Sequence, residues 1–155
     1  MKALKILLAI GFLMTSVYAK AEVNAQSKPI EITVYRSPTC MCCGKWLEHL
    51  KQNNFNVKDI VTDDVQAIKD KYGVTKELAS CHTAIVDGYV VEGHVPANDI
   101  KNMLTNKPNI IGIAVPGMVN GSPGMEMGDK KDPYKVMSFD AEHHIKEFSS
   151  YEGTQ

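Results

Sequence analysis

Basic charge is in no excess in this chain. Lys and Arg number 17 against 18 Asp and Glu, a net charge of −1 at neutral pH, so a nucleic-acid partner, which is held through clustered cations, finds no support. Long apolar runs are missing too. The one candidate, residues 6–14, is too short to cross a bilayer as a permanent helix, which takes about 20 apolar residues. Preceded by Lys2 and Lys5 and followed by Ala19-Lys20-Ala21 in the A-x-A arrangement, it reads as an export signal over residues 1–21. Removal of that signal leaves 14 basic against 18 acidic side chains, a net −4, and no stable membrane anchor. There is no internal repeat, and the remaining length suits one domain over residues 30–151, with a loose leader at 22–29 and a tail at 152–155.

Cysteine is also scarce outside one short stretch, which argues against a disulfide framework. Four cysteines in a small exported protein would ordinarily pair as two bridges. Here Cys40, Cys42 and Cys43 fall within four positions and only Cys81 lies apart. Adjacent cysteines pair only in a strained ring, and clustering discards the loop-closure entropy that makes a crosslink stabilising. The alternative uses of such a cluster are redox chemistry and metal binding. Thiolates are soft ligands suited to Cu(I), zinc and iron–sulfur centres, and a helix N-terminus stabilises the charge a thiolate carries.

The pattern around the cluster supplies that helix. Ile30, Ile32 and Val34 alternate with Glu31, Thr33 and Tyr35, the period of a half-buried strand. After Gly44 the period changes, with Trp46, Leu47 and Leu50 on one helical face and Lys45, Glu48 and Lys51 on the other. Residues 55–61 read as a second strand, parallel to the first across the helix. Thr62, Asp63 and Asp64 are N-cap candidates for a helix carrying Val65, Ile68 and Tyr72, closed by Gly73. A third strand follows Cys81-His82, and Asp87-Gly88 is a hairpin turn into a fourth. Pro96 opens a helix with Ile100, Met103 and Leu104.

This order predicts an α/β, thioredoxin-like fold: a central mixed sheet flanked by helices, followed by a Met/Gly/Pro-rich loop over residues 116–128 and a terminal hairpin over 134–139 and 143–148. In that architecture the loop entering the third strand lies against the cysteine turn. Cys81 is therefore expected to complete a site with Cys40, Cys42 and Cys43. A proline that this loop normally carries is absent, its place taken by Cys81-His82-Thr83, which weakens the case for ordinary disulfide exchange.

Candidate ligands beyond the cysteines follow from side-chain softness and placement. His94 sits in a Gly- and Pro-flanked loop, where an imidazole is free to face a metal. Met118, Met125 and Met127 offer thioethers, soft donors that need no deprotonation. Met41 covers the site as readily as it binds. His82 ranks lower, because neighbours in a strand point to opposite faces. His143 and His144 read as strand residues on opposite faces and are not taken as ligands. Trp46 reads as packing beside the cysteines.

Taken together, Cys40-Met41-Cys42-Cys43-Gly44 with Trp46, Ser80-Cys81-His82-Thr83, Glu92-Gly93-His94-Val95-Pro96, and Val115-Pro116-Gly117-Met118 with Gly121-Ser122-Pro123-Gly124-Met125-Glu126 resemble the CopG-like family of periplasmic copper-resistance proteins, long catalogued as a domain of unknown function. A proline common after the Met118 position is Val119 here. The resemblance implies a thioredoxin-like fold, a periplasmic location, and copper held by the cysteines in a cysteine-bridged multinuclear cluster, as Cu(I) with cycling to Cu(II). It prefers Met118 and Met125 among the methionines. The metal set is thus Cys40, Cys42, Cys43, Cys81, His94, Met118 and Met125, the partners are copper ions and a periplasmic copper chaperone or efflux component, and the enzymatic form of the reading is a copper oxidoreductase. Two alternatives stay open: a thiol–disulfide oxidoreductase using Cys40 and Cys43, and a zinc-binding structural module, against which the adjacent Cys42 and Cys43 fit poorly with C-x₂-C zinc knuckles.

Overall fold

A computed structural model describes residues 28–154; the signal expected at 1–21 and most of the leader at 22–29 lie outside them. The first strand, β1 (Ile30–Arg36), buries Ile32 and Val34 and leaves Thr33 between them half-buried. It runs parallel to β2 (Phe55–Val61), with Ile30 opposite Phe55. Between them α1 (Cys43–Gln52) buries Cys43, Trp46, Leu47 and Leu50, which recur at i, i+3, i+4 and i+7 and so form one stripe. The second helix, α2 (Val65–Lys71), starts where Asp64 accepts a hydrogen bond from the Ala67 amide at 3.3 Å. The chain leaves it through Gly73, whose φ of +73° a side chain would resist.

On its other side β1 pairs antiparallel with β3 (His82–Val86), which places His82 opposite Arg36. Asp87 and Gly88 both take positive φ, the requirement of a two-residue turn matched to strand twist, and return the chain as β4 (Tyr89–Glu92). The third helix, α3 (Ala97–Asn106), begins after Pro96 and ends at Lys107 in the left-handed conformation. His49 ties α1 to it by accepting the Ala97 amide at 3.0 Å. A short β5 (Gly112–Ala114) adds parallel to β4, and β6 (Tyr134–Phe139) and β7 (Ile145–Tyr151) extend the sheet antiparallel. Among the described residues this makes one seven-stranded mixed sheet in the order β2-β1-β3-β4-β5-β6-β7, with three helices, the mixed α/β class expected from the pattern.

The terminal hairpin differs from expectation at its second strand, which starts at Ile145 rather than His143. Asp140 Oδ1 accepts the amides of Glu142 and His144 at 2.9 and 3.0 Å, and His143 has φ +64°. These contacts make residues 140–144 a tight turn, so His143 and His144 are turn residues and not strand residues on opposite faces. The tail is tied back to the body, because Thr154 and Lys131 exchange backbone and side-chain hydrogen bonds.

Both faces of the sheet are covered. Val91 and Ile113 point into the larger core with Trp46, Leu50, Ile100 and Met103, while their neighbours Val90 and Ala114 point into a smaller one with Val74, Leu78 and Phe139. Adjacent strand residues face opposite ways, so helices α1 and α3 pack on one side and the segment after α2 on the other. Among the described residues no helix is long and apolar enough to cross a membrane.

Candidate metal centre

The turn between β1 and α1 carries three sulfurs to the edge of the larger core. The Cys40 amide donates to Ser37 O at 3.1 Å and the Lys45 amide to Cys42 O at 3.1 Å, which closes the turn and starts the helix. Cys42 occupies the N-cap and Cys43 the first helical position. The uncapped amides of a helix start favour negative charge there. Cys40 and Cys43 are joined as a disulfide, and Cys42 and Cys81 are free. The Cys42 sulfur lies 3.7 Å from that of Cys40, and the Cys81 sulfur 3.7 Å from that of Cys43.

Cys81 reaches the trio because the loop before β3 is pinned from beneath. Glu92, at the end of β4 and fully buried, accepts the Ser80 amide at 2.6 Å, the Thr83 hydroxyl at 2.6 Å and the Lys69 ammonium at 2.5 Å. Lys69 also donates to Thr83 Oγ1 at 3.0 Å. Burial raises the Glu92 carboxyl pKa, and the Lys69 charge with these hydrogen bonds works against the rise. The result is a charged strut from α2 through β4 to the residues on both sides of Cys81.

Two imidazoles complete the cluster. His82 Nδ1 is 3.3 Å from the Cys43 sulfur and 3.2 Å from that of Cys81, with its ring 4.3 Å from Trp46 and 5.0 Å from His94. His94 Nε2 is 3.2 Å from the Cys81 sulfur, and its Nδ1–H donates to Pro123 O at 2.8 Å. A carbonyl accepts only from a protonated nitrogen, so this bond fixes the tautomer and leaves the Nε2 lone pair facing the thiol. Trp46 donates from Nε1 to Val95 O at 2.9 Å, holding the loop that carries His94.

The donor atoms fall into two overlapping groups, each within 4.8 Å: Cys40, Cys43, Cys81 and His82, and Cys42, Cys81 and His94. Soft sulfur joined by imidazole suits a thiophilic ion better than a hard one. Burial first, then the neighbouring Cys42, pushes the Cys81 thiol up to about 12, so a metal entering here displaces a proton. Burial also holds His82 well below, and His94 below, the usual imidazole value, so both rings are neutral at neutral pH.

The lowered histidine pKa values have a consequence for stability. Below the ordinary value of 6.5, an unfolded chain binds protons at these rings that the folded chain refuses. Stability is therefore complete above 6.5 and falls as pH drops from there toward the depressed folded values, by up to about 1.4 kcal/mol per pH unit for each ring. Thermal melts of the metal-free disulfide form are expected to show a falling midpoint from pH 7 to 5, with a shallower fall in His82→Gln. A pH trend in His82→Gln identical to that of the wild-type chain would contradict the burial of a neutral His82 ring.

Of the residues singled out from sequence, the structure brings together Cys40, Cys42, Cys43, Cys81 and His94. Met125 lies beside them in a groove of about 270 Å³ with Met41, Cys42 and Met127. Its hinge is Gly124, at φ +81°, where a Cβ would stand 2.6 Å from the Trp46 amide nitrogen; only glycine lets this loop press against the start of α1. Met41 and Met127 are 92% and 64% exposed. Met118 sits 61% exposed after a turn fastened by the Gly117 amide to Ala79 O and by the Ser80 hydroxyl to Gly117 O. Strand alternation places His82 below the other candidates, yet it touches two sulfurs. The strand begins at His82, so Cys81 lies just before the pleat and alternation does not separate the pair. No sequence motif pairs Glu92 with Lys69; the one signal for Lys69 is its place four residues after Val65, on the face α2 buries.

A family model described as a protein of unknown function, DUF411, matches residues 78–125. The chain is similar to two solved structures of a copper resistance protein CopG. Form 1 is 45% identical, covering 81% of this chain and 99% of that one with a TM-score of 0.77. Form 2 is 44% identical, covering 79% and 98%, with a TM-score of 0.76. No curated protein matches.

Proposed function

Since this chain belongs to the family of the copper resistance protein CopG, we propose that it binds copper in the periplasm as Cu(I), in a multinuclear centre bridged by its cysteines, and cycles it to Cu(II). The observation that carries the reading is the meeting of four sulfurs and two buried, neutral imidazoles in two donor groups that share Cys81. Cu(I) accepts few ligands, and a shared thiolate can bridge two such ions. Met125 in the adjoining groove, and Met118 on the neighbouring turn, add thioether donors. The core that holds them is read as thioredoxin-like. Copper arrives from, or leaves to, a periplasmic chaperone or efflux component. Copper analysis of the reduced protein after anaerobic loading tests the proposal, which expects more than one ion per chain; no uptake would remove it.

A second reading draws on one observation. Cys40 and Cys43 are joined at the start of α1, where a dithiol that exchanges with substrate disulfides would sit. The two readings part at Cys42. Cys42→Ser is expected to lower copper stoichiometry while leaving reduction of a model disulfide unchanged. A Cys42→Ser variant that reduces a model disulfide at the wild-type rate and keeps its copper content intact would favour the oxidoreductase. A zinc module would instead unfold with a zinc chelator and stay without Cu(I)–thiolate luminescence.

A further inference from the structure

Because the two donor groups share one sulfur, the Cys40–Cys43 bond does not affect them equally. It withdraws two of the four donors from the group containing His82 and none from the group made by Cys42, Cys81 and His94. We infer that Cys42, Cys81 and His94 form a separate Cu(I) site that is complete while Cys40 and Cys43 remain joined. The inference rests on the copper reading above and adds to it a state of the protein that still holds an ion when half its sulfurs are unavailable.

The three donors are prepared for this independently of the disulfide. Both thiols are free. The bond from His94 Nδ1 to Pro123 O aims the Nε2 lone pair at Cys81, 3.2 Å away. Two thiolates and one imidazole satisfy the low coordination number of Cu(I). Loading releases one proton from each thiol and leaves a net charge of −1 on the centre, which the amides at the start of α1 offset.

Access lies on the same side. Cys42 opens into the groove that Met41, Met125, Met127 and Lys45 line, and two of these methionines are mostly exposed. Exposed thioethers leading to a free thiol are a path along which a soft ion can pass between weak donors before reaching strong ones. Reduction of the Cys40–Cys43 bond by an external dithiol breaks one S–S bond, takes up two electrons and two protons, and closes the reductant into its own disulfide. The two new thiols then restore the second donor group, so the oxidation state of this pair sets copper capacity at one ion or several.

The test uses the chain after removal of residues 1–21, purified as the disulfide form with two titratable thiols. Cu(I) is supplied anaerobically from its complex with a chromophoric chelator, and uptake is followed by chelator absorbance and by quenching of Trp46, the single tryptophan. The disulfide form is expected to take one Cu(I), with two thiols still accounted for afterwards as copper-bound. Cys42→Ser and His94→Gln in the same form should each weaken that ion by at least about tenfold. The Cys40→Ser/Cys43→Ser double variant should also take one ion, and the reduced wild-type chain more than one. An empty disulfide form beside a copper-binding reduced form would overturn this inference alone. So would equal stoichiometry in the two forms, or one ion indifferent to Cys42→Ser. Failure of both forms to bind would overturn the copper reading with it.

Discussion

Cys81→Ser is expected to reduce copper binding more than any other single cysteine substitution. Its sulfur is the only donor common to the two groups, and it is the only cysteine brought in from outside the turn before α1. A hydroxyl is a hard donor that does not deprotonate at neutral pH, so both groups lose their link. Substitution of a residue that merely orients a ligand costs about 10–100-fold in metal affinity, and loss of a shared ligand is expected to exceed about 100-fold. Competition with a Cu(I) chelator measures it. Cys40→Ser, which removes a donor from one group only, is the comparison. Equal losses in the two variants would show that Cys81 bridges nothing. Folding is not expected to suffer greatly, because the Ser80 and Thr83 contacts to Glu92 remain.

The largest effect on stability is expected at Lys69. Its ammonium and the Glu92 carboxylate are 5% and 0% exposed and meet at 2.5 Å. Removing one partner of a buried pair strands the other charge and costs about 3–5 kcal/mol, a large share of the roughly 5–15 kcal/mol that holds a domain folded. Lys69→Met should lower the urea midpoint accordingly. Burial already raises the Glu92 pKa, and loss of the cation raises it further. A carboxyl with a raised folded pKa gives stability that is present at acid pH and lost as pH rises through that value. The deficit of Lys69→Met is therefore expected to be smaller at pH 5 than at pH 8, the reverse of the histidine trend. Lys69→Met/Glu92→Gln should recover part of the loss, since no charge is then stranded. A single variant as stable as wild type at pH 8 would mean that the pair contributes nothing.

The strut also bears on the metal centre. Glu92 holds the Ser80 amide, and Ser80 precedes Cys81. Copper affinity in Lys69→Met is expected to fall along with stability, because the loop that carries Cys81, the sulfur common to both donor groups, loses its anchor.

Much of this architecture was legible along the chain. Alternation located β1, the stripe of Trp46, Leu47 and Leu50 located α1, and Asp87-Gly88 located the hairpin between β3 and β4. These signals are local: strand and helix periods, and the positive φ that a tight turn demands, are properties of a few consecutive residues. The second strand of the terminal hairpin starts two residues later than its pattern predicts, for a related reason. Residues 143 and 144 fit a strand pattern, but Asp140 accepts two amides of the same turn, and local side-chain capping won over alternation.

The convergence of Cys81 was expected from element order, whereas the place of His82 was not. Alternation assumes that both residues lie in the pleat, and the strand starts between them. The pairing of Lys69 with Glu92 was likewise hidden, because a lysine in a helix is ordinarily solvated and nothing in its neighbours names a partner 23 positions away.

By itself the sequence determined the kinds of donor available, soft sulfur and imidazole, and the helix start beside which three of the thiols must sit, since composition and short-range periodicity need no folding to be read. Only the tertiary structure decided which donors share an ion-sized space: that Cys81 belongs to two groups, that His94 presents Nε2, and that a buried ion pair supports the loop between them. Distances between residues far apart in the chain depend on how sheet and helices pack, and packing is a property of the whole molecule rather than of any segment.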